Sequence, residues 1–216
     1  MAYTYDFPRP SFTLDAAVLT IIESKLSILL IQRKHNPFEG KWALPGGFLE
    51  MDETLKTGSA RELCEETGLE NLDLSPVFTC GEPGRDPRSR TITQVFGVLV
   101  NSTFLAPKGG DDAAEARWFP VNSLPEMAFD HLRVISQIYD HIRWQAKTSI
   151  IGKNYFNFEA DADSILHLHK IVSGVDDVQS PVERAETLGL LKKNKDGKYV
   201  YNIPRQSGPD YSTIVW

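Results

Sequence analysis

Apolar positions along this chain follow two spacings. Residues 12 to 20 (FTLDAAVLT) and 26 to 33 (LSILLIQR) are short runs rich in aliphatic and β-branched residues, with a polar Glu-Ser-Lys break between them, and read as a hairpin or two adjacent strands. Similar runs recur at 74 to 80, 91 to 101 and 115 to 119. A shorter one, Trp42 to Leu44, is bracketed by the prolines and glycines of NPFEGKWALPGGF. From about 129 to 145 the spacing lengthens to that of a helix, through Leu132, Ile135, Ile138, Tyr139 and Ile142. Another helix is expected over roughly 53 to 67, with Asp52 as N-cap and Gly68 as a left-handed C-terminal cap. Strands interleaved with helices predict an α/β fold with a mixed sheet.

A different order follows residue 146. DADSILHLHKIV, residues 161 to 172, places Ile165, Leu166 and His169 at helical spacing ahead of Gly174. Ser180 is the expected N-cap of a further helix, which has Pro181 at its first position and runs to about Gly189. LLKKNKDGKYVYNI then reads as a strand, an Asp196-Gly197 turn and a second strand. Helix, turn, helix and hairpin is the order of a winged helix. The expected organisation is one unit over residues 1–146 and a small winged-helix-like α+β unit over 147–216.

The first helix carries unusual chemistry. At about 100° per residue, Glu62, Glu65 and Glu66 fall within one arc of about 100°. Ala60, Leu63, Cys64 and Thr67 cluster opposite, so the helix is expected to bury that stripe and hold its acids out of the core. Three like charges on adjacent turns repel, and Arg61 is the one cation in the last two turns. A divalent cation between the carboxylates would relieve the clash, and all-oxygen ligands favour Mg²⁺ or Mn²⁺ over zinc. Gly58 inside this helix should cost about 1 kcal/mol relative to Ala, and a close backbone approach to a neighbouring strand would explain it.

Taken together, Gly47, Glu53, Arg61, Glu62, Leu63, Glu65, Glu66, Gly68 and Leu69 form one fixed-spacing pattern over residues 47 to 69. A chance match would occur on the order of once in ten million chains of this length, which sets aside a merely solvated acidic helix. The segment resembles the signature of the Nudix hydrolases without a departure, and Trp42, Leu44, Pro45, Gly46 and Gly47 match the W-x-L-P-G-G that often precedes it. The resemblance implies an α/β/α sandwich and metal-dependent hydrolysis of a nucleoside-linked diphosphate. It also implies Glu62, Glu65 and Glu66 as principal metal ligands, with the Gly47 carbonyl nearby. Glu53 would pair with Arg61 to orient the helix or add to the metal site.

Between Cys80 and Thr91 the chain reads GEPGRDPRSR, a Gly/Pro-rich loop with Arg85, Arg88 and Arg90. Cations beside an acidic metal site suit an anionic substrate, although a solvated basic loop is the plain alternative. The R-D-P-R-x-R run resembles Nudix proteins that act on or sense ADP-ribose, which implies hydrolysis of ADP-ribose to AMP and ribose 5-phosphate. With the tail, almost the full chain resembles Nudix-related transcriptional regulators, which implies ligand-dependent DNA binding; the tail could instead support a homodimer. The expected recognition helix is poorly equipped for it, since Arg184 stands between Glu183 and Glu186; Lys192, Lys193, Lys195 and Lys198 cluster in the hairpin.

Composition narrows the rest. Of 216 residues, 41% are apolar and 24% charged, an ordinary soluble composition. No apolar run approaches membrane length and no basic-then-apolar leader is present, so a cytoplasmic protein is the default expectation. The net charge of −6 falls wholly in residues 1–146, which suits metal binding and does not suggest a nucleic-acid surface there. Cys64 and Cys80 are expected in the core. His35, His131, His167 and His169 read as structural or surface groups. The general base is open among Glu65, Glu66, Glu82, Asp111, Asp112 and Glu115, and Phe12, Phe38, Trp42 and Phe78 are candidate stacking partners for a base.

Overall fold

A computed structural model describes residues 5–110, 112–175 and 181–202. Asp111 and Ser180 lie outside them. The long apolar runs become β1 (Ser11–Ile22) and β2 (Lys25–Arg33), paired antiparallel through a two-residue turn at Glu23 and Ser24. β3 (Trp42–Ala43) and β4 (Gly46–Phe48) follow, then α1 (Leu55–Thr67), β5 (Ser75–Cys80), β6 (Thr91–Leu99), β7 (Ala113–Pro120) and α2 (His131–Thr148).

These seven strands form one sheet in the order β3-β2-β1-β6-β5, with β4 beside the start of β1 and β7 along β2. β1 and β6 run parallel, Ser11 opposite Thr91 through Leu19 opposite Leu99, while the other pairs are antiparallel. The sheet is therefore mixed, as the pattern predicted.

β1 is buried on both faces because alternate residues feed two cores. Leu14, Ala16 and Val18 join Leu29, Ile31 and Leu63 of α1 on one side. Ala17 and Leu19 join Ile135, Ile138 and Ile142 of α2 on the other. Burying each such aliphatic side chain is worth about 1.5–3 kcal/mol. Leu132 departs from the expected stripe: it is 59% exposed, and Val134 takes the inward position.

The tail forms β8 (Glu159–Ala160), α3 (Ala162–Ser173), α4 (Pro181–Thr187), β9 (Leu191–Lys193) and β10 (Tyr199–Tyr201), with the strands in the order β8-β10-β9. The expected hairpin thus gains a third strand, β8. Ile150, Ile165, Val182, Leu191 and Tyr199 make a small core of their own. Leu168 and Val172 of α3 nevertheless belong to the core beneath α2. His169 ties the same seam: its Nδ1 meets the Ala146 carbonyl at 2.8 Å, and its Nε2 accepts the Ile151 N–H at 3.2 Å. Arg143 adds a bond to the Ser173 carbonyl.

Candidate active site

α1 starts later than expected. Thr54 is its N-cap, accepting from the Thr57 N–H while the Thr57 hydroxyl accepts from the Thr54 N–H, a reciprocal box that leaves Asp52 in the preceding turn. Glu53 therefore lies ahead of the helix and folds back onto Arg61, with contacts of 2.7 Å and 3.0 Å to its guanidinium. Arg61 also reaches Glu62 (2.9 Å), Glu65 (3.0 Å) and the Phe48 carbonyl (3.1 Å). The like-charge clash read from the sequence is thus relieved in part by Arg61 itself.

The buried stripe of α1 is Gly58, Ser59, Leu63, Glu66 and Thr67; Ala60 is exposed, and Cys64, like Cys80, is only half-buried. Glu66 is consequently 6% exposed instead of facing solvent. The reason is local. Glu62 and Glu66 lie against Gly47 and Gly46, whose missing side chains leave room for carboxylates beside the backbone. A Cβ on Gly46 would overlap the Leu14 carbonyl oxygen, and one on Gly47 would lie 2.5 Å from the Glu62 carboxylate. The Gly46 N–H donates to Glu66 at 2.8 Å. Gly58 is explained by side chains, not by a strand backbone: a Cβ there would stand 2.5 Å from Glu53 and 2.6 Å from Leu14.

Glu62, Glu65 and Glu66 line one cavity of about 380 Å³. Burial pushes Glu66 up to about 8 against the opposing Gly46 hydrogen bond, and burial also raises Glu62. Carboxylates so disposed are short of positive charge. Among the described residues no three acidic, histidine or cysteine side chains are drawn together as a preformed metal cage. The donor set is nonetheless all oxygen: three carboxylates and the Gly47 backbone beside Glu62, which is the chemistry of a hard divalent ion.

The arginine loop divides. Arg85 lines the cavity but is 5% exposed and committed to Asp130 by bonds of 2.8 Å and 3.1 Å, with Asp15 at 3.9 Å. It pins the loop to the start of α2, and Asp130 accordingly makes no side-chain cap. Arg88 pairs with the buried Asp86 at 2.7 Å, lies over Phe48 and Phe129, and lines the cavity. Arg90 does not reach it; its guanidinium meets the Thr91 carbonyl at 3.3 Å.

Several lining residues carried no local signal: Asp15, Arg33 and Phe129. Each reaches the cavity through long-range packing. None of Phe12, Phe38, Trp42 or Phe78 lines it; Phe48 and Phe129 are its aromatic walls. His131 is buried there, accepting the Leu44 N–H at 2.9 Å, and burial lowers its basicity. Of the acids weighed as general base, Glu65, Glu66 and Asp112 face the cavity. Glu82 pairs with Arg133 and Glu115 with Arg117, both away from it.

Comparisons with known proteins agree with this geometry. The NUDIX domain family model matches residues 12–138. ADP-ribose pyrophosphatase of Methanocaldococcus jannaschii is 47% identical over 129 residues, 60% of this chain and 73% of that protein. The ADPR responsive transcriptional repressor NtrR of Acinetobacter baylyi is 35% identical over 139 residues, 62% of this chain and 55% of the repressor. Crystal structures of Shewanella oneidensis NrtR, alone and with a 27mer DNA, superpose with TM-scores of 0.71 and 0.70 at 25% identity. They cover 90% and 88% of this chain and 94% and 92% of theirs. With its signature helix, mixed sheet and matched span, the chain belongs to the NUDIX domain family.

Proposed function

We propose that this Nudix pyrophosphohydrolase cleaves ADP-ribose to AMP and ribose 5-phosphate, with Mg²⁺ or Mn²⁺ as its ion. The observation that carries the reading is one cavity lined both by the carboxylates of α1 and by Arg88. Opposed charges of this kind suit a diphosphate bridged to a cation. The 47% identity to an ADP-ribose pyrophosphatase supports the choice of substrate.

Glu62, Glu65, Glu66 and the Gly47 carbonyl would hold the ion. When bound, a divalent ion neutralises phosphate charge and makes a water more acidic. Arg61, held by Glu53, orients Glu62 and Glu65. Hydrolysis breaks one bridging P–O bond: hydroxide bonds to one phosphorus, the other phosphate leaves with the bridging oxygen, and the water's proton goes to a carboxylate of the cavity, for which Glu65, Glu66 and Asp112 are the candidates. Arg88 takes a phosphate, Arg85 positions the loop and Arg90 plays no direct part.

Purified protein should turn over ADP-ribose in Mg²⁺ and stop on chelation. Glu65→Gln and Glu66→Gln should each lower kcat by about 10²–10⁴-fold. Absence of turnover across a panel of nucleoside diphosphate derivatives would reject the reading.

The superposition on a DNA-bound regulator over 88% of the chain favours a second reading, a ligand-responsive DNA-binding protein whose tail acts as a winged helix. Lys192, Lys193 and Lys195 are exposed on the β9–β10 hairpin. Against this, Arg184 of α4 is turned inward to the Ser149 carbonyl at 3.3 Å. A mobility shift with DNA from upstream of its own gene decides. Sequence-specific binding that weakens steeply with salt and responds to ADP-ribose supports the regulator, and no binding removes it.

A further inference from the structure

Arg33 closes β2 at a place where the ladder to β7 slips register: Gln32 pairs with Glu115 but Arg33 with Ala113, leaving Ala114 as an extra residue. Such a bulge bends the ladder locally and re-aims the side chains beside it. Its guanidinium lies 4.9 Å from the centroid of the Phe129 ring, while that of Arg88 lies 5.3 Å from the same centroid. Both side chains line the cavity opened by α1.

The two arginines differ in their partners. Arg88 is held by Asp86. Arg33 donates to the backbone carbonyls of Pro37 (2.9 Å) and His35 (3.4 Å), and among the described residues no carboxylate comes within ion-pair distance of it. It is half-buried, and burial together with the nearby Arg88 charge works against its own more strongly than Glu66, Asp112 and Asp86 favour it from a distance. A guanidinium partly desolvated beside a like charge, with carboxylates acting on it only from beyond ion-pair distance, is an arrangement that a directly contacting anion would stabilise.

Phe129 is held so that both cations meet it. It adopts a φ of +51°, a conformation unusual for an aromatic residue. The chain on either side fixes it: Ala128 donates to the Trp42 carbonyl at 2.7 Å, and Asp130 is clasped by Arg85. Phe38 packs on its edge at 4.8 Å.

We infer that Arg33 and Arg88, spaced by the Phe129 ring, form a two-arginine clamp for a phosphate group of the substrate, with Arg33 a substrate-binding residue. The inference deepens the diphosphate reading above and names the part of the chain that recognises the anion, in the same cavity as the carboxylates of α1. Arg33 supplies a charge not engaged in a direct ion pair and a planar fork; Arg88 supplies a second fork pre-positioned by Asp86.

Inorganic pyrophosphate is the probe, titrated calorimetrically into the full chain in Mg²⁺, with circular dichroism to verify folding. Arg33→Gln and Arg88→Gln should each weaken binding about ten- to hundredfold. Arg33→Lys, which keeps the charge and loses the fork, should fall between Arg33→Gln and the unaltered protein. If Arg33→Gln does not fold, Arg33→Lys decides alone: affinity equal to that of the unaltered protein overturns the clamp, and a severalfold loss supports it. Unchanged affinity in folded Arg33→Gln, or no pyrophosphate binding by the unaltered protein, also overturns it. Pyrophosphate binding lost on Arg33→Gln in a protein that leaves ADP-ribose intact would reject the substrate and keep the clamp.

Discussion

His169 uses both ring nitrogens inside the core, one toward the Ala146 carbonyl and one accepting from Ile151. That pattern requires a neutral ring. Burial, aided by the charge of Arg184, holds its pKa down to about 4. An unfolded histidine titrates near 6.5, so between about 6.5 and 4 the unfolded chain binds a proton that the folded chain does not. Stability therefore falls as pH drops through that window, by up to about 3 kcal/mol from this group, and levels off below it. Buried Glu66 acts in the opposite direction over the same window, so the comparison is between proteins: in urea melts His169→Gln should cost less stability at pH 5 than at pH 7.5. An unchanged pH dependence in the variant would contradict the assignment. The residue scale is also where sequence is both most and least informative. Glu62, Glu65 and Glu66 are legible because fixed spacing along one helix places them together. The burial of Glu66 is not, because a helical wheel weighs the helix's own residues, whereas its depth is set by two glycines some twenty positions earlier. Arg33 is invisible for a related reason: nothing in Ile-Gln-Arg-Lys separates it from a strand-end surface cation until β7 and Phe129 pack around it.

The elements follow from local rules to within a residue or two at most ends, and the exceptions have physical causes. α1 begins at Leu55 because the Thr54 and Thr57 hydroxyls satisfy free amides that Asp52 does not reach. Thr54→Ala should cost about 1 kcal/mol in denaturant midpoint measurements, and Asp52→Ala close to nothing. The reverse order would show that the cap had been misidentified. Activity should change little in either, because the acids lie in the last two turns and Arg61 is anchored from outside the helix by Glu53. β8 was not legible: Glu159 and Ala160 are too short a run to stand out, and they are strand only because Tyr199 and Val200 pair with them.

At the scale of the whole molecule, charge and packing divide differently. The acidic excess belongs to residues 1–146, yet the apolar core does not stop there. Leu168 and Val172 complete the layer under Ile138, Ile142 and Ala146. Asp73 adds a polar link, meeting Lys56 of α1 at 2.8 Å and Lys153 of the tail at 3.4 Å. The composition shift near residue 146 thus marks a change of secondary-structure order and charge, not a break in the hydrophobic layer.

That shared layer bears on how such a chain can diversify. A tail whose α3 finishes the packing of α2 cannot be exchanged for another module by simple fusion, because its replacement must present the same apolar contacts and the same acceptor for Ile151. Descendants of this chain are freer to alter the exposed hairpin lysines and the cavity arginines than the seam between them. New binding specificities are then expected to arise at the two ends, on a joint inherited whole.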